Sequence, residues 1–137
     1  MRATPIWLNW RDDGVAHDEG VTVVEFGTQD GVRLERDGDI VHVTLATPES
    51  RNAQTPATWR RLAAVPQILT PDVRAVVVRG EGLSFSAGLD RRMLSPDGVP
   101  GEESLLTLAS FDEARMDEFI RGAQAAFTWW HTVPQVT

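Results

Sequence analysis

The residues with the clearest chemical potential are Phe85-Ser86-Ala87-Gly88-Leu89-Asp90, which follow directly on the run Arg74-Ala75-Val76-Val77-Val78-Arg79-Gly80. Small residues and a glycine in a loop let a ligand approach the main chain and leave amide N–H groups free to donate. Aimed at a carbonyl, such amides stabilise the negative charge that develops on its oxygen, with no side chain needed. An Ala–Gly pair after a strand is also what a plain tight turn looks like. A second segment upstream, Arg51-Asn52-Ala53, is what gives the loop a functional reading.

Other chemistries are excluded by residue type. The chain has no cysteine, which removes disulfides, thiolates and cysteine metal sites. All thirteen basic residues are arginine, so no lysine can form a Schiff base. His17, His42 and His131 are far apart and lack metal-ligand spacing, so no metal site is expected. A net charge of −7 disfavours nucleic-acid binding through phosphate neutralisation. No apolar run approaches a membrane span, and the first residues carry no signal-peptide pattern. A soluble protein of the reducing cytoplasm, without a membrane partner, is the expectation.

The elements that must position the loop read as follows. The β-branched run at 74–79 predicts a strand covered on both faces, ended by Gly80 and Gly82. Val32–Glu35 and Ile40–Leu45 alternate around Asp37-Gly38-Asp39, a hairpin with a DG turn. Thr47-Pro48-Glu49-Ser50 breaks that strand. Thr55-Pro56 starts a helix with Thr55 as N-cap and Trp59, Leu62, Ala63 and Pro66 inward, and Pro66 ends or kinks it. Residues 95–104 form a loop. The strongest helix spans roughly 111–131, capped by Ser110 with Glu113, with a core stripe of Met116, Phe119, Ile120, Ala123, Phe127 and Trp130. Gln135-Val136-Thr137 begins another strand. Residues 1–30, with Trp7 and Trp10 among Asp12, Asp13, Asp18 and Glu19, read as a partly ordered extension in which only Val21–Phe26 resembles a strand. The order β-β-α-β-loop-α-(β) is that of an α/β layered fold; residues 31–137 form its body.

In this order and spacing the motifs resemble the enoyl-CoA hydratase/isomerase family, the crotonase superfamily, over about Val32 to Thr137. The hairpin leading to Thr47–Ala53 is similar to that family's first CoA-contacting segment, and Gly80 with Phe85–Asp90 to its first oxyanion-loop segment. The resemblance implies a crotonase-like fold of layered ββα units that stops before its core is completed. It implies an acyl-CoA thioester as substrate and partner, with coenzyme A part of that substrate and no separate cofactor. Leu89 contributes its backbone N–H to the oxyanion hole that stabilises a thioester enolate. Arg51, Asn52, Ala53, Ala87, Gly88, Leu89 and Asp90 line the substrate, with Arg51 meeting a CoA phosphate. Asp90 caps the helix after the loop rather than acting in acid–base chemistry. Arg91 and Arg92 depart from the pattern of relatives, and either could face CoA phosphates.

In that family the second oxyanion donor is a glycine beyond the strand starting near Pro134, and the acid–base carboxylates lie beyond it again. The resemblance therefore implies an N-terminal half, homo-oligomeric in its complete form and inactive as 137 residues alone. The alternative is a non-catalytic CoA-binding or oligomerising protein. Glu113, Asp117 and Glu118 are read as a solvated helix face, and Met93, Leu94, Phe119 and Trp129 as candidate walls for the acyl group.

Overall fold

The computed structural model describes residues 15–18 and 21–137, with side chains from Glu25 onward. Trp7, Trp10, Asp12, Asp13 and Glu19 lie outside the described residues. The elements are β1 (Val15–Asp18), β2 (Val21–Gln29), β3 (Val32–Asp37), β4 (Ile40–Leu45), α1 (Pro56–Ala63), β5 (Ala75–Gly80) and α2 (Glu113–Thr128). Single 3-10 turns punctuate the long connections.

The five strands form one sheet in the order β1-β2-β3-β4-β5. β1 to β4 are antiparallel neighbours, and the expected DG hairpin is β3–β4, in register from Val32↔Leu45 to Asp37↔Ile40. β2 runs on to Gln29, so part of the compositionally distinct N-terminal stretch belongs to the sheet. β5 pairs with β4 in parallel, from Ile40↔Ala75 to Leu45↔Gly80. A parallel pair cannot be joined by a tight turn, and α1 lies within the crossover. The Thr55–Pro56 start forms as read: Thr55 accepts from Thr58 N–H in a reciprocal capping box, and Pro56 opens the helix.

Alternation places Val32, Leu34, Val41, Val43 and Leu45 on one face of the hairpin, all nearly inaccessible. Leu62 on α1, Val65 just after it, Val73 and Val76, and Ala126 and Trp129 at the end of α2 close over them. Three expectations change. β5 is not covered on both faces: Val76 is buried, whereas Val77 is 40% exposed and Arg79 is exposed. α2 starts two residues later than Ser110 would cap it. Asp112 accepts from Arg115 N–H at 2.8 Å, while Ser110 closes a 3-10 turn and its hydroxyl donates to the Thr107 carbonyl. The buried stripe is also rotated. Ala126 and Trp129 reach the core, Met116, Phe119, Ala123 and Trp130 are half-buried, and Ile120 and Phe127 are exposed. The body of α2 packs on α1, and only its end, at Ala126 and Trp129, reaches the core beside the sheet, where the small alanine is accommodated.

Beyond α2, Val136 pairs in parallel with Ala75, accepting from Val76 N–H at 2.8 Å and donating to the Arg74 carbonyl at 3.1 Å. The next strand therefore starts along the outer edge of β5, where Gln135-Val136-Thr137 was read. Among the described residues no helix is long and apolar enough to cross a membrane.

Candidate functional site

The site is built where the end of β5 meets the segment that precedes α1. At Gly80 the chain turns back over itself. A Cβ there would lie 2.4 Å from the Phe85 carbonyl oxygen and 2.7 Å from both Phe85 Cα and the Ser84 oxygen. All three are main-chain atoms, so only glycine allows the loop to cross so closely.

The turn at 81–84 is tied to the upstream segment by Asn52. Arg51 and Asn52 adopt left-handed backbone angles, φ 54° and 56°, a conformation asparagine tolerates better than most residues. The Asn52 side chain is fully buried. Its Oδ1 accepts from Thr47 N–H at 3.0 Å, and its Nδ2 donates to the Glu81 and Ser84 carbonyls at 2.9 and 2.8 Å. Both amide protons are used, so the Asn52 side chain faces the protein and positions the loop. Arg33 reaches the same turn through Glu81 at 2.8 Å, and that hydrogen bond, foremost, holds its guanidinium above the ordinary arginine value.

The two segments then zip together through their main chains. Ala87 N–H donates to the Arg51 carbonyl, Gln54 N–H to the Gly88 carbonyl, and Asp90 N–H to the Gln54 carbonyl, each at 2.8 Å. Gln54 and Leu89 are thus partners in an isolated parallel bridge. In such a bridge Gln54 bonds to the residues on either side of Leu89. The N–H and C=O of Leu89 itself therefore point away from Gln54. Leu89 is half-buried, and it lines a cleft of about 600 Å³ together with Asp30, Thr47, Arg51, Ala53, Ala87 and Arg92.

Asp90 caps the turn Arg91–Leu94 as expected: its Oδ1 accepts from Arg92 N–H at 2.9 Å. It also pairs with the Arg92 guanidinium at 2.7 Å, which holds the buried carboxyl below the usual aspartate value. With both functions directed at Arg92, Asp90 has a structural duty. Arg51 and Arg91, also on the cleft, are exposed and have no ion-pair partner among the described residues. They are the cations open to an anionic ligand.

Ala53, Ala87, Leu89 and Asp90 share the cleft with Arg51, whereas Asn52 lies behind it. Gly88, exposed with φ 82°, supplies the bend that turns the following peptide. The suggested acyl walls are not gathered together. Met93 and Trp129 are buried, Leu94 is exposed, and Phe119 lines a separate cleft of about 450 Å³ with Trp59, Leu108 and Phe111. Glu113 and Asp117 are exposed; Glu118, also exposed, lines that second cleft. No group of three or more His, Cys, Asp or Glu among the described residues could hold a metal ion.

Gln54 was not apparent as a site residue from sequence. The signal lies in the phase of burial: Asn52, Gln54, Pro56 and Thr58 are all buried while their neighbours are not. A polar side chain on the inward phase must have partners there.

No family model matches the chain. Among curated proteins, it is 40% identical over 68 residues to the mitochondrial Δ(3,5)-Δ(2,4)-dienoyl-CoA isomerase of Rattus norvegicus, a match covering 47% of this chain and 21% of that protein. It is 40% identical over 82 residues to a protein of Mycobacterium tuberculosis named as a probable enoyl-CoA hydratase, covering 58% and 32%. The chain thus spans less than a third of the length of these relatives. Among solved structures, a Thermobifida fusca YX protein assigned as an enoyl-CoA hydratase, in complex with acetoacetyl-CoA, superposes with a TM-score of 0.65 at 38% identity, covering 73% of this chain and 38% of that one. The strand, the loop Phe85–Asp90 and the segment Arg51–Ala53 thus stand in a known lineage: the chain belongs to the enoyl-CoA hydratase/isomerase family, the crotonase superfamily, whose N-terminal part it spans.

Proposed function

We propose that this chain forms the first half of an acyl-CoA-processing site, in which the Leu89 N–H donates to the thioester oxygen and stabilises the enolate formed there. The observation that carries the reading is the Gln54–Leu89 bridge. It turns the Leu89 amide away from Gln54 and leaves the residue on the rim of a cleft beside Arg51 and Arg91, which have no ion-pair partner among the described residues. A peptide dipole fixed before the reaction costs no reorganisation as charge develops, and losing one such donor costs about 3 kcal/mol of barrier. The ligands of two solved relatives, acetoacetyl-CoA and coenzyme A, support the substrate class.

In this reading Arg51 and Arg91 meet CoA phosphates, and Ala53, Ala87 and Gly88 leave room for the pantetheine. Coenzyme A enters on the substrate and no separate cofactor takes part. The second oxyanion donor and the acid–base carboxylates come from outside these 137 residues, so the chain alone binds without turnover. Complete, the protein works in the cytoplasm as a homo-oligomer; the exposed Ile120 and Phe127 on α2 offer an apolar surface for packing.

The test is calorimetric titration of the 137-residue chain with acetoacetyl-CoA, together with infrared spectroscopy of the bound thioester. The expected results are saturable binding, a carbonyl band displaced to lower frequency, and no hydration of crotonyl-CoA. Arg51→Ala should weaken binding several-fold, and more so at low salt, because the exposed charge is screened at higher ionic strength. A bound thioester whose carbonyl band stays at its free-solution position would refute the role of Leu89.

A further inference from the structure

We infer that Gln54 is a positioning residue for the Gly88–Leu89 peptide, acting through a hydrogen-bond relay that runs from Trp59 through Ser86. The inference rests on the reading of the Leu89 amide given above. The direction of every bond follows from what its members can donate. The Trp59 indole is a donor only, so the Gln54 atom it meets at 3.0 Å is the amide oxygen. The amide nitrogen then faces Ser86 Oγ at 3.1 Å and donates to it. The same Oγ accepts from Gly88 N–H at 3.1 Å and donates to the Asn52 carbonyl at 2.8 Å. A hydroxyl offers one proton and two lone pairs, and here all three are used.

Gln54 therefore holds the loop twice. Its main chain bonds the Gly88 carbonyl and Asp90 N–H, and its side chain fixes the hydroxyl that receives Gly88 N–H. Gly88 needs this restraint. Its φ is 82° and nothing lies within 4 Å of where a Cβ would stand, so hydrogen bonds are what set the angle of the peptide that carries Leu89 N–H. A donor whose direction drifts loses most of its effect, because hydrogen bonds weaken steeply with angle. Gln54 itself is buried, at 9% exposure, where a polar amide is tolerated only if satisfied. Trp59, half-buried on α1, meets Phe119 of α2 edge-on with ring centroids 6.2 Å apart, and this packing anchors the far end of the relay.

Amide NMR of the full chain tests this directly. Gln54→Leu keeps the bulk and removes both side-chain bonds; Ser86→Ala removes the hub. In each, the Gly88 and Leu89 amide resonances should move and Gly88 N–H exchange should quicken by about fivefold or more, while the amides of β3 and β4 keep their positions. Should those variants fail to fold, Gln54→Glu decides. Its introduced carboxyl can donate to Ser86 when protonated and cannot when ionised, so the Gly88 amide should titrate with pH in that variant and stay flat in the wild type. Gly88 and Leu89 amides that hold their wild-type positions and exchange rates in folded Gln54→Leu, or a flat Gly88 profile in Gln54→Glu, would overturn the relay. The thioester carbonyl band separates the two readings. No displacement in the wild type refutes the thioester role and leaves the relay to the amide data. A displacement that Gln54→Leu leaves unchanged refutes the relay alone.

Discussion

Asn52 is the side chain on which the site geometry depends most, and two substitutions there separate its duties. Asn52→Ala removes three hydrogen bonds from a fully buried position and leaves Thr47 N–H and the Glu81 and Ser84 carbonyls without partners. It also forces alanine into a left-handed backbone at φ 56°. Each orphaned group costs about 1–3 kcal/mol, so a total loss of about 3–5 kcal/mol is expected after partial relaxation. Against a domain stability of about 5–15 kcal/mol this is a large share. Asn52→Asp keeps the shape and the Thr47 bond, but sets a carboxylate oxygen where Nδ2 lies 2.9 and 2.8 Å from two carbonyl oxygens. Repulsion and burial both disfavour its charged form, so its folded pKa is raised above the ordinary value of about 3.9. A raised folded pKa means stability that is fully present below the unfolded value and is lost as pH rises through the folded one. The gap between Asn52→Asp and wild type should thus be widest near neutral pH and narrow on acidification, while the Asn52→Ala gap stays level. Urea unfolding followed by tryptophan fluorescence, from about pH 7.5 down to about pH 4.5, reads both gaps. An Asn52→Asp gap that is small at neutral pH, or that does not narrow in acid, would refute the buried-clamp reasoning.

Two glycines differ in a way thermal melts can resolve. Gly80→Ala drives a methyl into the main chain of Ser84 and Phe85 and should cost about 1–3 kcal/mol, whereas Gly88→Ala meets no atom within 4 Å and should cost only the left-handed backbone, about 1 kcal/mol. The reverse order would show that the loop does not cross β5 as described. Asp90→Ala removes the cap of the Arg91–Leu94 turn and should cost about 1 kcal/mol at neutral pH. Because the Asp90 pKa is depressed, its contribution is present above the ordinary aspartate value and lost as pH falls through the folded one, so the variant and wild type should converge in acid. Denaturation midpoints at two pH values check this.

The legible parts of the fold were those encoded locally. The DG hairpin and the Thr55–Pro56 helix start each depend on a few adjacent residues, and both form as read. The start of α2 was misplaced because Ser110 and Asp112 are both competent caps, and the choice is made by the 3-10 turn that binds the Ser110 hydroxyl to Thr107. Stripe rotation depends on how α2 lies against α1, and the open face of β5 on which elements reach the sheet, neither of which a local pattern reports. At the site, the loop Phe85–Asp90 and the arginine at 51 were visible by type. The inward turn of Asn52, the direction of the Leu89 amide and the relay through Gln54 were not. Each is set by bonds between segments about thirty residues apart.

The outer edge of β5 is already committed to a partner. Its Val76 N–H is met by Val136, but alternation puts the N–H groups of Val78 and Gly80 on the same edge, past the reach of that single bridge. Those amides are placed for a strand continuing from Val136, which would meet them in the same parallel pattern that the bridge begins. Arg74 and Arg79, both exposed, flank the run at either end. Arg74 pairs with Asp39 and Arg79 with Glu35, so a strand adding at that edge meets cations already matched. Its register rests on main-chain bonds and the three valines rather than on charge.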